Sequence, residues 1–512
     1  MPEIAASLLL SAIERFLAAS REPVLIEAGE DPLPVTRETC AVTQRGNGAI
    51  LECWSVKRNL VRRVSAIRSE RRGMLELEIE RFGGRTGKIT LADLAHPSNR
   101  DAGRRGARLK YRERFRHSLR RQFPGWRIAE LSAEPDLHHS LSPAFPRALL
   151  RRGNAAIAAI GAAEDALAPE QALSFGLIWL DYLRRRERRV AIEGLAIFIP
   201  IGSELNVCHR VRYLDSQIAR YFVFVHEAGA TEDPVDPNDY TNFHTRLDPY
   251  RQPLAESRAE LVEWIDRISE IDEIERRANA DGSVSLRVRG LEMARVSGDE
   301  LLFGIDAKHV AGSEAHVAEI ESLALGLAEM RNAEALDRMN PLYTRYPEAW
   351  LESQVRASIE SIDATLRASP IYGQVPQFAS GERSVIDLLA VDRDGRLAVI
   401  EVKASQDIHL PLQALDYWMR VKWHLDRGEF AGRGYFSGIE IRAEAPKLFL
   451  VAPALDFHPS NEIILRFFAP GVAVERIGVG IEWRKELRVM FRVPPSPWPS
   501  LYSAKSKKQS LI

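Results

Sequence analysis

The stretch SVIDLLAVDRDGRLAVIEVKASQDIHLPLQALDYWMRVKWHL, residues 384–425, constrains the fold more than any other part of the chain. VIDLLAV and LAVIEVK are β-type runs joined by the turn residues Asp392-Arg393-Asp394-Gly395, and a helical pattern follows. Side chains alternate across a strand, so Ile400 and Val402 are expected to face a core layer while Glu401 and Lys403 share the opposite face. Asp387, the one acid of the first run, stands on the neighbouring strand. Two carboxylates and an ammonium are thereby expected to converge near a sheet end. A hard cation such as Mg²⁺ binds through one or two carboxylates plus water and phosphate oxygens. A lysine beside them can orient a water and offset charge developing on phosphate. The chemistry this predicts is phosphodiester hydrolysis.

Charge gives a second constraint. The formal net charge is −1, yet residues 51–152 hold 24 Lys and Arg against 11 Asp and Glu. The excess centres on Arg104, Arg105, Arg108, Lys110, Arg112, Arg114, Arg116, Arg120 and Arg121, interleaved with Tyr111, Phe115, Phe123 and Trp126. Such a field attracts a polyanion and releases its counterions. A solvated helix face is the alternative reading of the same run.

The 512 residues suggest about three domains. Residues 1–105 read as a β-rich N-terminal domain, from runs such as PVLIEA, AILECWSV, MLELEIERF and KITLADL. Residues 106–230 read as a basic α/β domain that opens with a helix over 105–126. Residues 231–340 combine a Pro- and Asp-rich linker with helices near 254–278 and 313–338 and a β-hairpin between them. Residues 341–500 form a second α/β domain, and 501–512 a flexible tail. The fold class is α/β, or α+β in several domains. The three cysteines, Cys40, Cys53 and Cys208, are too few and too widely spaced for a disulfide framework, which suits a reducing cytoplasm. No apolar run is long enough to cross a bilayer, and the N-terminus reads as an amphipathic helix rather than an export signal. The stretch RFGGRTGK lacks the phosphate-loop spacing, so no ATP site is expected. Asp136, His138 and His139 read as ordinary surface groups rather than a metal cluster.

Asp387 followed by Glu401-Val402-Lys403 resembles the PD-(D/E)XK nuclease superfamily, whose signature is an acid on one strand and acid-x-lysine on the next. Gln413-Ala-Leu-Asp-Tyr417 on the following helix looks like the Q-x-x-x-Y element of its RecB-like branch. The helix before the hairpin, PEAWLESQVRASIESIDATL, offers Glu348 and Glu352, and Glu352 is the better placed. The resemblance covers residues 341–480 and implies a restriction-endonuclease-like mixed sheet and a DNA nuclease dependent on Mg²⁺ or Mn²⁺. It implies that Asp387, Glu401 and the Val402 carbonyl hold the metal, with Glu352 in support. Lys403 would act on the water, and Gln413 with Tyr417 would brace the site or substrate. No histidine stands at a suitable place before Asp387, a departure from many RecB-like nucleases that leaves the number of metals open. Cutting both strands of a duplex would favour a homodimer. A non-catalytic DNA-binding scaffold with a relic site is the competing function.

The chain also resembles itself. Residues 152–165 align without gaps to 394–407, and GLIWLDYLRRR (176–186) matches PLQALDYWMRV (411–421). Glu401 then falls on Ala159, Lys403 on Gly161 and Asp387 on Phe145. The expectation is a degenerate, catalytically silent copy of the nuclease-like domain at 106–230.

Overall fold

The computed structural model describes residues 2–27, 33–45, 48–54, 59–81, 85–96, 100–227, 231–238, 245–255, 257–271, 274–305, 310–312, 316–335, 340–379 and 382–497. The expected tail at 501–512 lies outside them. The described residues form a mixed α/β structure of 12 α-helices and four sheets. None of these helices is long and apolar enough to cross a membrane. Two compact units emerge, Met1–Ile201 with Phe224–Pro234 and Gly202–Val223 with Val235–Ile512.

In the first unit, helix α1 (Pro2–Ala19) precedes seven strands: β1 (Pro23–Glu27), β2 (Leu33–Pro34), β3 (Cys40–Arg45), β4 (Gly48–Trp54), β5 (Asn59–Arg71), β6 (Met74–Arg81) and β7 (Arg85–Asp93). They form one antiparallel sheet in the order β2-β1-β7-β6-β5-β4-β3. Leu9, Ile13 and Leu17, at helical spacing, pack with Leu25, Leu51, Leu77 and Ile89 of the sheet. Cys40 and Cys53 face each other across β3 and β4 with their Sγ atoms 3.4 Å apart, both as free, buried thiols.

Next come α2 (Arg100–Gln122), β8 (Arg127–Ser132), β9 (Arg147–Arg152), β10 (Ala155–Gly161), α3 (Ala172–Arg186), β11 (Ala191–Pro200), α4 (Glu204–Val211), which belongs to the second unit, β12 (Arg220–His226) and β13 (Asp233–Val235). The sheet runs β13-β12-β11-β10-β9-β8. The hairpin β9–β10 is antiparallel, and the crossover through α3 makes β11 parallel to β10.

In the second unit, β14 (Thr245–Leu247) precedes a small module. It comprises α5 (Ala259–Ile268), β15 (Glu275–Ala278), β16 (Val284–Val288), β17 (Leu291–Ser297), β18 (Glu300–Phe303), β19 (Val310–Ala311) and α6 (Val317–Met330). The helix expected across 254–278 stops early because Glu275–Ala278 pairs antiparallel with β16 instead. Trp264, Ile265, Leu286, Met293 and Leu327 are part of the module's own core. The stretch expected as an exposed linker also contributes, since β14 pairs with β20 and buries Leu247.

The remaining elements are α7 (Pro341–Thr344), α8 (Pro347–Ala357), α9 (Ile359–Ile362), β20 (Tyr372–Ala379), β21 (Glu382–Val391), β22 (Leu397–Val402), α10 (Leu410–Asp426), α11 (Glu429–Gly432), β23 (Lys447–Pro453), α12 (Pro459–Leu465), β24 (Ala473–Val479) and β25 (Val489–Val493). Their sheet runs β14-β20-β21-β22-β23-β24-β25. β20, β21 and β22 are antiparallel neighbours, whereas β22, β23 and β24 are parallel. Trp350 and Leu351 of α8 pack on Ile400, Val402, Phe449 and Val451.

The hairpin, helix and parallel strand of β9–β10–α3–β11 recur as β21–β22–α10–β23, and the strand registers correct the gapless alignment. Ala159 lies opposite Ala148, and the β21–β22 register, continued by one residue, sets Asp387 opposite Glu401. The counterpart of Asp387 is therefore Ala148, not Phe145. The turn Gly153-Asn154 is shorter than the turn from Asp392 to Arg396, and a gapless alignment cannot absorb that difference.

The small module is fastened to α8. Gly290, with φ +79°, lies so close that a Cβ would stand 2.0 Å from the Ala349 carbonyl oxygen. Arg331, fully buried, donates to the carbonyls of Leu342, Arg345 and Arg289 and stacks on the Trp350 ring. Gly290→Ala is expected to lower stability by about 2–4 kcal/mol through backbone strain and overpacking. Urea unfolding measures it, and a loss below about 1 kcal/mol would mean that this junction is loose.

Candidate active site

The site begins where two strands part. β21 and β22 pair from Val391–Leu397 to Leu388–Ile400. At the next residues a side chain replaces the ladder: the Val402 N–H donates to Asp387 Oδ2 at 2.9 Å. On its other edge β22 stays paired with β23, and Lys403 N donates to the Val451 carbonyl at 2.9 Å. The expected alternation holds in the burial of Ile400 and Val402 within the core. Glu401 and Lys403 share a face, with Lys403 Nζ 3.4 Å from Glu401 Oε1. Glu348 of α8 reaches the same ammonium at 4.0 Å.

Glu401 is 2% exposed, and Asp387 lies close enough for its charge to act on it. Burial, then the negative charge of Asp387, pushes the Glu401 carboxyl well above the usual carboxylate range. Burial raises Asp387 to about 6, with the charge of Glu352 adding to the effect; the Val402 N–H and Lys403 pull the other way. Burial disfavours the Lys403 ammonium, but Glu401, Glu348 and Asp387 outweigh it and hold its pKa above the ordinary value. Near neutrality these directions describe two carboxyl groups that retain a proton between them beside a charged lysine.

Tyr417 lies close enough to feel both acids. Its hydroxyl is pushed up first by burial and then by the charges of Glu401 and Asp387. Gln413 sits one turn earlier on α10, half-buried, and its Oε1 is a buried acceptor with no partner among the described residues. Two bonds fix α10: Trp418 Nε1 donates to the Pro446 carbonyl at 2.7 Å, and Arg210 of α4 pairs with Asp416 at 2.7 Å.

The donor set suits a divalent cation. Glu401 Oε2 is buried without a partner among the described residues, and a cation would take the place of the proton the acids retain. Asp387 and Glu401 supply the carboxylates, and the Val402 carbonyl lies between Glu401 and Lys403 in the chain. Glu352, the third acid, is nine-tenths buried and already engaged, its Oε1 accepting from Arg277 Nη2 at 2.7 Å. Among the described residues no three His, Cys, Asp or Glu side chains form a ready metal cage.

The basic helix is less free than its sequence suggests. Arg112 and Arg116 both pair with Glu113, Arg114 with Glu164 and Arg121 with Glu232. Arg108 and Lys110 are half-buried and Arg120 is exposed, whereas the side chains of Arg104 and Arg105 lie outside the described residues. Tyr111, Phe115 and Phe123 point into the core, so they are packing residues rather than stacking surfaces for bases. Arg277 escaped the sequence reading because its module carries no motif, and Arg356 because its helix, α8, drew attention only for its acids. An arginine on a short strand or an exposed-looking helix gives no sign of its partner.

In comparisons with known proteins, no family model and no curated sequence matches the chain.

The raised Asp387 has a consequence for stability. Its folded pKa near 6 exceeds the ordinary aspartate value of 3.8, so the folded state binds this proton more tightly, and stability falls as pH rises from about 4 to 6. Asp387→Asn removes that penalty. In the presence of EDTA the variant should be more stable than wild type at pH 7.5 by about 1–3 kcal/mol, with the difference fading towards pH 4. Thermal unfolding across this range tests it, and a destabilised variant at pH 7.5 would mean that the carboxylate is needed for folding.

Proposed function

We propose that the chain is a Mg²⁺- or Mn²⁺-dependent DNA nuclease whose catalytic domain spans residues 341–500. The observation that carries the reading is the buried Asp387–Glu401 pair, with an unpartnered Glu401 oxygen, beside the Lys403 ammonium. Metal would be held by Asp387, Glu401 and the Val402 carbonyl, with Glu352 beside them and paired with Arg277. Bound there, the cation supplies Lewis-acid activation of water and charge compensation on phosphate. Lys403 holds a charged Nζ next to the carboxylates, where it can orient the attacking water and offset charge on the phosphoryl oxygens. Gln413 presents an open acceptor and Tyr417 a protonated hydroxyl, which suit bracing the site or the substrate. The hydroxyl stays protonated because the nearby acids oppose its ionisation.

In this reading the fold of the domain is restriction-endonuclease-like, and residues 106–230 are a silent copy of it. The shared succession of hairpin, helix and parallel strand supports the duplication. The copy has Ala148, Ala159 and Gly161 where the active domain has Asp387, Glu401 and Lys403. DNA is the substrate proposed from the basic segment, and a second copy of the chain would provide a second active site for the opposite strand.

Cleavage of labelled single-stranded, duplex and branched DNA, with Mg²⁺, Mn²⁺ or EDTA, tests the proposal. Lys403→Ala and Asp387→Ala should each lower cleavage by about two orders of magnitude or more, with DNA affinity and melting temperature nearly unchanged for Lys403→Ala. Binding of all substrates without cutting, indifferent to EDTA and to Asp387→Ala and steeply salt-dependent, would favour a DNA-binding scaffold with a relic site.

A further inference from the structure

Glu352 is held by a neighbour that belongs to neither strand of the hairpin. Arg277 arrives on β15 of the small module, and its ion pair with Glu352 is sealed, the two side chains being 3% and 7% exposed. A surface pair of this kind contributes little, but a buried one strands a charge when it is broken. Arg356, one turn along α8, approaches the same Glu352 oxygen at 3.7 Å and donates through Nη1 to the Ile371 carbonyl at 2.6 Å. Gly373 of β20 makes room for this, since a Cβ there would stand 2.0 Å from Arg356 Nη2.

The strand that carries Arg277 is itself fixed to α8. Ser353 Oγ donates to Glu275 Oε1, and Gly290 N donates to the same oxygen at 3.2 Å. The contact of Gly290 with Ala349 adds a steric stop. Arg277 thus reaches Glu352 from a braced position. Glu352 in turn lies near enough to Asp387 for its charge to act there.

We propose that Arg277 is a positioning residue of the active site, holding Glu352 in a buried ion pair and so outside the coordination shell of the cation. The inference rests on the metal-dependent reading of the site. Asp387 and Glu401 would then be the only carboxylates on the cation, with the Val402 carbonyl beside them, and water and a substrate phosphate oxygen could complete its shell. A third carboxylate on the metal would tighten its binding while cancelling the positive charge that the phosphate needs. The small module therefore has a stated role: it keeps the third acid occupied.

Calorimetric titration with Mn²⁺, in the absence of DNA, tests this on the full chain with wild type, Asp387→Asn, Arg277→Gln, Glu352→Gln and the Arg277→Gln/Glu352→Gln double variant. Arg277→Gln frees Glu352 and should tighten Mn²⁺ binding by about fivefold to tenfold, a gain absent from the double variant. Unchanged or weaker binding by a folded Arg277→Gln, or a gain that persists in the double variant, would overturn the proposal. Should Arg277→Gln not fold, Glu352→Gln decides: it keeps an acceptor for Arg277, and affinity within about twofold of wild type is expected. A loss of about tenfold would put Glu352 on the metal and overturn the assignment. Wild type that binds no Mn²⁺ overturns the metal reading together with this inference. Binding that Asp387→Asn abolishes and Glu352→Gln weakens overturns only the role of Arg277.

Discussion

The second α/β domain is organised around two carboxyl groups that share a dry space at the end of a sheet. Burial raises the affinity of both for a proton, with the charge of Asp387 adding to it at Glu401 and the charge of Glu352 at Asp387. Ionised acids without compensation are among the most unfavourable groups a core can hold. The surroundings supply that compensation. Lys403 brings a cation from the same strand, Val402 gives its N–H to Asp387, and the charge of Glu352 is matched by Arg277. Compensation is incomplete at Glu401 Oε2, and the remaining attraction for a cation is the property that chemistry can use.

Holding such a group needs stiff supports. β22 is an interior strand with one antiparallel and one parallel neighbour, so Glu401 and Lys403 project from backbone that is tied on both sides. Ile400 and Val402 lock the opposite face into a core with Trp350, Phe449 and Val451. On α10, Trp418 is bonded to Pro446 and Asp416 to Arg210, which fixes the helix that presents Gln413 and Tyr417. On α8, Arg331 and Gly290 clamp the segment that carries Glu348 and Glu352. Each acid or base thus has its backbone fastened by residues that take no part in its chemistry.

Much of the hairpin was readable from sequence because period-2 alternation and a DRDG turn are local signals. Register across the turn follows from them, and Asp387, Glu401 and Lys403 meet as the pattern requires. The succession of strands and helices from Trp126 to Glu227 was readable for the same reason. Other features depend on distant partners. Cys40 and Cys53 are 13 residues apart, and only the pairing of β3 with β4 brings them face to face. Glu275–Ala278 follows a helix and contains two arginines and a glutamate, a composition that a helix would accept; pairing with β16 decides otherwise. The arginines of α2 read as free charge until Glu113, Glu164 and Glu232 are seen beside them. Arg277 had no signal at all, since its importance lies in an ion pair 75 residues away in the chain.

The sheet built from β8 to β13 shows what this scaffold does without acids at the positions of Asp387 and Glu401. Its β9–β10 hairpin, helix α3 and parallel strand β11 repeat the arrangement around the acids, yet Ala148 and Ala159 face each other where Asp387 and Glu401 would stand. A side chain at Gly161, the position of Lys403, has no room: a Cβ would lie 2.9 Å from Tyr111 Oη and 3.0 Å from Phe115. Helix α2 fills that space with aromatic rings, and Tyr111 is secured by His226, which also meets Glu164. The architecture therefore forms with alanine and glycine at these three positions under an aromatic plug, and needs no carboxylate there. In the second domain the same architecture holds two acids whose mutual repulsion and burial oppose folding, and it recruits a lysine and a neighbouring module's arginine to balance their charge and that of Glu352. Packing alone gives no reason for that arrangement, whereas the proposed cation-dependent chemistry would supply one.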